Sequence, residues 1–134
     1  MIVKQLSIFL ENKPGVLAKM CKTLAEHDIN IRGISVSDTV DHAVVRLVVT
    51  DPRKAIHVLG DHGMLVVETD VLALGLPDQP GKLAEVAGKL ARAKINIEYA
   101  YGSSDHADGF LFVRVSDAKA AMQVLTPKGP KKAG

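Results

Sequence analysis

The chain has 134 residues, enough for one domain or for two very small ones. Hydrophobic residues make up 47% and charged residues 24%, with three Phe, two Tyr and no Trp, so we expect a globular protein with an aliphatic core and no ring-rich cofactor pocket. The net charge is +2 and three lysines lie near the C-terminus (Lys128, Lys131 and Lys132), so the body is nearly neutral and has no strong field for nucleic acid.

The single cysteine, Cys21, excludes an intramolecular disulfide and is typical of a reducing compartment. The N-terminal residues show no charged start followed by a long apolar run, which predicts neither a signal peptide nor a membrane span. We therefore expect a cytoplasmic protein that has no membrane partner.

The first half predicts, in chain order, a strand, a helix, two strands, a second helix and a fourth strand. Alternating apolar residues predict the first strand, and apolar residues at helical spacing predict the first helix. The strands are expected within residues 6–10, 30–36, 43–50 and 64–67, and the helices within 17–24 and 55–59. The order βαββαβ, with two helices on one face of an antiparallel sheet, is the ferredoxin-like arrangement.

The second half repeats the first at a spacing of 66 residues. Residues 6–59 align without a gap on residues 72–125, and 17 of the 54 pairs are identical. This self-similarity indicates a tandem repeat. The second copy predicts strands within 72–76, 96–101 and 110–115 and helices within 83–90 and 118–125.

The second copy ends without a fourth strand, because the remaining segment TPKGPKKAG is rich in Pro and Gly. Residues 1–4 precede Leu6 in the same way that residues 67–70 precede Leu72, so we expect residues 1–4 to supply the missing strand and to close an approximately two-fold pair. The predicted domains are a first module over residues 1–70, a second over 71–127 and a flexible basic tail over 128–134.

The same turn from a strand into a helix occurs in both copies, as ENKPGVLAKM and as PDQPGKLAEV. The first N–H groups of such a helix carry partial positive charge and favour a carboxylate by roughly 0.3–1 kcal/mol. Gly15 allows a ligand to approach the backbone closely, and Asn12 offers both a donor and an acceptor. These features match an α-amino acid, although an ordinary helix start has the same pattern.

Leu10-Glu11-Asn12-Lys13-Pro14-Gly15-Val16-Leu17, followed by a helix and Ile29-Asn30-Ile31, resembles the ACT domain, a regulatory module of amino-acid metabolism. The resemblance implies a ligand between two modules, held by the first strand–helix turn of one and the start of the second strand of the other. In the serine-sensing ACT domain of phosphoglycerate dehydrogenase two asparagines hold the effector, and they match Asn12 and Asn30. That family has His where this chain has Leu10, so serine specificity is not expected.

The resemblance implies two sets of ligand-binding residues. They are Leu10, Asn12, Lys13, Pro14, Gly15, Val16, Leu17, Asn30 and Ile31 in the first copy, and Asp78, Gln79, Pro80, Gly81, Lys82, Leu83, Asn96 and Ile97 in the second. Asp78 replaces Asn12, and its carboxylate would repel the carboxylate of a ligand but pair with its ammonium. We therefore expect two unequal sites, of which the Asn12 site binds better. The apolar neighbours favour an aliphatic or aromatic amino acid.

Two other kinds of site have weaker patterns. Residues 108–115, DGFLFVRV, resemble the ribonucleoprotein motif of RNA-binding domains, but the leading basic residue is Asp108 and the last aromatic position is Val115. Asp41-His42 and Asp105-His106 occur in the two predicted hairpin loops, where such residues usually form solvated turns. We expect neither nucleic acid nor metal as a partner.

The sequence contains no recognisable nucleophile with its base, paired acid and base, or metal set. We therefore expect no enzyme activity and no cofactor. The predicted function is a stand-alone regulatory protein that binds a free amino acid between its two modules and signals, through conformational or oligomeric change, to an enzyme or regulator. A homodimer is expected, because the sheet edges are exposed. The alternatives are a scaffold subunit without ligand and a metal-binding regulator.

Overall fold

The computed structural model describes residues 1–39, 41–77, 79–105 and 108–126. Their elements are β1 Ile2–Glu11, α1 Val16–Glu26, β2 Ile31–Asp38, β3 His42–Val49, α2 Pro52–Asp61, β4 Leu65–Pro77, α3 Lys82–Arg92, β5 Ile97–Asp105, β6 Asp108–Val115 and α4 Ala118–Leu125. The order of elements is the predicted one. The first strand is longer than its alternating pattern, and the strands expected within 64–67 and 72–76 are one continuous strand, β4.

The repeat of 66 residues in the sequence is also present in the secondary structure. Helices α1 and α3 each have 11 residues and begin 66 positions apart, and so do strands β3 and β6. Helices α2 and α4 each begin after an aspartate, Asp51 or Asp117, whose carboxylate accepts the N–H of the third residue along. The fold is therefore mixed α+β, with two ferredoxin-like modules in tandem.

The N-terminal unit comprises Lys4–Thr69. Its strands lie in the order β2-β3-β1-β4, and β1 pairs with β3 antiparallel, with Leu6 opposite Leu47 and Glu11 opposite His42. The helices α1 and α2 pack on one face of this sheet. Its buried core consists of Leu6, Ile8, Leu10, Met20, Leu24, Ile29, Val45, Leu47, Val49, Ala55, Val58 and Leu59.

The C-terminal unit comprises Met1–Val3 together with the chain from Asp70 onward. Strand β6 lies between β5 and β4, and the first residues of β1 lie on the other side of β4. There the Ala73 N–H donates to the Met1 carbonyl at 2.8 Å. Among the described residues, the buried core of this unit consists of Leu72, Leu90, Ile95, Val113, Val115 and Ala121. The expected tail over 128–134 lies outside the described residues.

Strands β1 and β4 each contribute residues to both units, because the division of the chain falls between Val3 and Lys4 and again between Thr69 and Asp70. Helices α1 and α3 follow the ends of these two strands, so both strand–helix turns are extensions of shared strands. Among the helices of the described residues, none has the length and apolar character needed to cross a membrane.

Candidate functional site

The turn between β1 and α1 has a left-handed backbone at Gly15, with φ 88° and ψ −16°. The Lys13 N–H donates to the Glu11 carbonyl at 3.0 Å, and the Val16 N–H donates to the Lys13 carbonyl at 3.4 Å. A positive φ is readily adopted by glycine and costs other residues energy, which explains the residue type at this position. The turn ends the strand abruptly and starts the helix within four residues.

The first turn of α1 leaves donors exposed. The Lys19 N–H donates to the carbonyl of Gly15, the residue just before the helix, at 3.0 Å. Within residues 1–39 and the other described segments, the N–H groups of Leu17 and Ala18 have no acceptor, and no side chain caps the helix. Asn12 is exposed beside them. These amides and the helix dipole form a local concentration of positive partial charge.

The turn between β4 and α3 has nearly the same backbone. Gly81 has φ 90° and ψ −11°, the Gln79 N–H donates to the Pro77 carbonyl at 2.9 Å, and the Lys82 N–H donates to the Gln79 carbonyl at 3.3 Å. Pro80 is exposed, as its counterpart Pro14 is in the first turn. Asp78, the counterpart of Asn12, lies outside the described residues.

The two helix starts differ in charge. The first turn of α3 contains Glu85, which forms an ion pair with Lys82 at 3.6 Å. The first turn of α1 contains no acidic residue, and the position equivalent to Glu85 is Lys19. A carboxylate near a helix N-terminus already satisfies part of the positive charge there. The turn between β1 and α1 is therefore a better place for an anion than the turn between β4 and α3.

The apolar residues at the α1 turn have different surroundings. Leu10 is 5% exposed and belongs to the core of the N-terminal unit, so its side chain packs inward and only its backbone borders the turn. Val16 is half-buried against the same core, whereas Leu17 is exposed, as is Leu83 at the α3 turn. Leu17 is therefore the apolar side chain that this turn offers to a ligand.

The asparagines before the second strands of the two copies are held in the same way. The Asn30 N–H donates to Thr50 Oγ1 at 3.1 Å, and the Thr50 N–H donates to the Asn30 carbonyl at 3.0 Å. Asn96 and Ser116 make the same two bonds, at 3.1 and 3.0 Å. Both asparagine side chains are exposed. The residues after them, Ile31 and Ile97, are half-buried against the core of their own unit.

Within the N-terminal unit, Asn12 and Asn30 lie at opposite ends of the sheet. Glu11, just before Asn12, pairs with His42 at the start of β3, whereas Ile31, just after Asn30, pairs with Val49 at its end. The rise of a strand puts about 24 Å between these two levels. A ligand the size of an amino acid therefore cannot contact both asparagines of one unit.

A profile of the ACT domain pair matches residues 1–129. The chain belongs to the ACT domain-pair family. No functionally curated protein is significantly similar to the sequence.

Solved structures similar to this ACT domain pair include a protein of Bacteroides thetaiotaomicron, with 37% identity and a TM-score of 0.90 over 93% of this chain and 87% of that one. The ligand-free regulatory subunit of aspartate kinase from Thermus thermophilus has 17% identity and a TM-score of 0.71, over 93% of this chain and 95% of that one. The corresponding subunit from Thermus flavus has 18% identity and a TM-score of 0.64, over 92% of each chain. At these lower identities the likeness concerns the fold.

Phe110 and Phe112 of the ACT pair's β6 lie on the sheet face away from the core, because the residues that alternate with them, Leu111 and Val113, pack against the core. Phe112 is 7% exposed and its ring centroid lies 5.5 Å from that of Tyr101 and 5.3 Å from that of Phe110, which is 52% exposed. The neighbouring positions on β4 are Ala73 and Gly75. One half-exposed ring without an aromatic partner on β4 is a poor platform for stacked bases.

The described residues of the ACT pair contain no group of three or more His, Cys, Asp or Glu side chains that could hold a metal ion. His106 of the second hairpin lies outside those residues. Cys21 is half-buried against the core of the N-terminal unit. His27 and His62 are the C-cap residues directly after α1 and α2, and each ring Nδ1 lies 2.9 Å from a carbonyl oxygen of the helix before it.

Proposed function

We propose that this ACT domain pair is a regulatory protein, without catalytic activity of its own, that binds a free amino acid at the strand–helix turn of its N-terminal unit. The observation that carries the proposal is that the N–H groups of Leu17 and Ala18, next to the left-handed Gly15, have no acceptor among the residues that the structure describes. Membership of the ACT domain-pair family supports a regulatory role.

In this proposal the ligand carboxylate accepts hydrogen bonds from the N–H groups of Leu17 and Ala18. The ligand ammonium donates to the side-chain oxygen of the exposed Asn12, which borders the turn. The apolar contact comes from Leu17, whose side chain is exposed at the same turn. An uncharged ligand side chain suits these surroundings, because Lys13 already pairs with Glu11 at 3.1 Å.

The N-terminal unit supplies the stronger of two unequal sites. Glu85 and Lys82 partly satisfy the charge of the α3 turn, while the α1 turn has no acidic residue to compete with a ligand carboxylate. In the second copy Asp78 replaces Asn12, and its carboxylate also disfavours a ligand carboxylate at that turn.

A ligand held by two asparagines takes the second one from another module, because Asn12 and Asn30 of one unit lie at opposite ends of its sheet. Binding between modules lets a small molecule shift how the modules pack, and couplings of ~1–3 kcal/mol are typical of such effects. Because we expect no catalytic activity of the chain itself, this change would be read by a partner enzyme or regulator.

A thermal-shift screen of the twenty amino acids tests the proposal. A ligand present at a hundred times its Kd stabilises the folded state by about 2.7 kcal/mol, which raises the melting temperature by several degrees. We expect this for one or a few uncharged amino acids. The shift should be lost in Asn12→Ala and retained in Asp78→Ala, which makes a matched change in the second copy. An unchanged melting temperature with all twenty would favour the scaffold alternative.

Isothermal titration of the identified amino acid tests the inequality of the sites. We expect one dominant site per chain, removed by Asn12→Ala. Two sites of equal affinity would show that Glu85 and Asp78 do not discriminate between the turns. Such a result would leave amino-acid binding itself intact.

A further inference from the structure

The hairpin between β2 and β3 lies directly beside the strand–helix turn of the N-terminal unit. In the pairing of β1 with β3, Glu11 is opposite His42, and just beyond this pair the Asn12 N–H donates to the Asp41 carbonyl at 3.4 Å. Both Asn12 and Asp41 are exposed. Their side chains therefore start from neighbouring backbone positions at the same end of the sheet.

The hairpin holds the backbone on both sides of Asp41. The Thr39 N–H donates to the His42 carbonyl at 2.7 Å, and the Thr39 hydroxyl donates to the same carbonyl at 3.0 Å. The His42 N–H in turn donates to Thr39 Oγ1 at 3.3 Å. Because the backbone is already ordered, a ligand that contacts the Asp41 carboxylate has only the side chain left to immobilise, which lowers the entropic cost of binding.

The carboxylate of Asp41 is available to a ligand, since it forms no ion pair and no side-chain hydrogen bond with a described residue. The carboxylate of Glu11, on β1, pairs with Lys13 at 3.1 Å. Asp38 at the end of β2 has no such partner either, but it is opposite Ala43, and β3 separates it from β1. Of these three carboxylates, Asp41 is the one that is both unneutralised and next to Asn12.

Asn12 borders two segments of opposite charge, the α1 turn and the hairpin. The N–H groups of Leu17 and Ala18, together with the helix dipole, provide the positive charge, and Asp41 provides the negative charge. An α-amino acid has a carboxylate and an ammonium on the same carbon atom, which complements this pair. Its ammonium has three donors, so the oxygen of Asn12 and the carboxylate of Asp41 can both accept from it.

The sequence of the second copy distributes these groups differently. The counterpart of Asp41 is Ala107, and the counterpart of Asn12 is Asp78, so the carboxylate occurs in the turn instead of the hairpin. Each copy therefore has one carboxylate at these two positions. In the first copy the carboxylate is on a different segment from the helix amides, which lets one ligand satisfy both charges.

We propose that Asp41 makes the site of the N-terminal unit selective for a free α-amino group, by accepting a charge-assisted hydrogen bond from the ligand ammonium. This inference rests on the proposed function and adds a selection against 2-hydroxy acids and 2-oxo acids, which carry the carboxylate without the ammonium. Charge-assisted hydrogen bonds are roughly twice as strong as neutral ones. The same carboxylate repels an acid that has no positive charge of its own.

Isothermal titration with matched pairs of compounds tests the role of Asp41. The probes are the amino acids that raise the melting temperature in the screen of twenty, each with the 2-hydroxy acid of the same side chain, such as phenyllactate for phenylalanine. Asp41→Asn should weaken binding of the amino acid about tenfold or more, because it removes the charge and keeps the shape. Binding of the 2-hydroxy acid should stay the same or improve.

Asp38→Asn is the matched control, because it removes an equal charge one strand further from the turn. It should leave the affinities for both compounds unchanged. A general structural disturbance by Asp41→Asn would weaken both compounds together, whereas the loss of ammonium recognition weakens the amino acid alone.

Two results would overturn the role of Asp41 and leave the proposed function intact. One is amino-acid binding that is unchanged in Asp41→Asn, and the other is an equal loss for the amino acid and its 2-hydroxy acid. If none of the twenty amino acids binds to the unchanged protein, the proposed function fails and this inference fails with it.

Discussion

Replacing Gly15 with alanine is expected to destabilise the N-terminal unit. Gly15 has a φ of 88°, and a Cβ built on it meets no atom within 4 Å. Because the added methyl group has open space around it, packing contributes little and the cost comes from the left-handed backbone. That cost is roughly 1–2 kcal/mol for a residue with a Cβ. Gly81→Ala, with a φ of 90° and equally open surroundings, should cost the same.

Gly88 supplies a control in which the same substitution is expected to raise the stability of the protein. Gly88 lies inside α3, and its added Cβ would meet only the Arg92 Nη1 atom, at 3.4 Å, which is the mobile end of a long side chain. Gly88→Ala should therefore stabilise the protein by about 0.5–1 kcal/mol, the usual gain of alanine over glycine in a helix. Gly15→Ala and Gly81→Ala add the methyl group to a left-handed backbone, whereas Gly88→Ala adds it to a helical one.

Urea unfolding followed by far-ultraviolet circular dichroism gives the free energies of unfolding. Gly15→Asn should fall between the unchanged protein and Gly15→Ala, since asparagine adopts the left-handed conformation more easily than alanine. If Gly15→Ala were as stable as the unchanged protein, the backbone at this turn would not require glycine. The reasoning from φ would then be refuted.

Further outcomes concern the core, the helix caps and the aromatic face. Leu24→Ala, at a fully buried core position, should lower the free energy of unfolding by about 2–5 kcal/mol in urea melts, and a negligible loss would contradict its burial. Asp51→Ala and Asp117→Ala should each cost about 0.5–2 kcal/mol in the same assay, because each removes a helix cap, and unchanged stability would argue against those bonds. Phe112→Ala should cost about 3–5 kcal/mol and the half-exposed Phe110→Ala clearly less. Fluorescence anisotropy should show no binding of single-stranded RNA, and binding lost in Phe110→Ala would revive the nucleic-acid alternative.

Local features of this chain were predictable from its sequence. The spacing of apolar residues indicated the first helix, and the repeat of 66 residues indicated its counterpart in the second copy. The repeated Pro-Gly indicated two turns that have nearly equal φ angles at Gly15 and Gly81. The strands expected within residues 64–67 and 72–76 were placed correctly by their apolar residues, and the structure joins them in the single strand β4. These features depend on residues within a few positions of one another, so the sequence carries them directly.

Tertiary structure decided which residues meet. Leu10 belongs to the motif of the turn, yet its side chain is in the core, because its strand presents that face to α1 and α2. Asn12 and Asn30 are 18 positions apart in sequence but lie at opposite ends of one sheet, since the intervening helix returns the chain to the starting edge. Alternation places both phenylalanines of β6 on one face, where their rings lie 5.3 Å apart, but Phe112 is buried and Phe110 is half-exposed, because Phe112 also packs against Tyr101 of the neighbouring strand β5. Such contacts depend on strand pairing between residues far apart in the chain, which a local pattern does not specify.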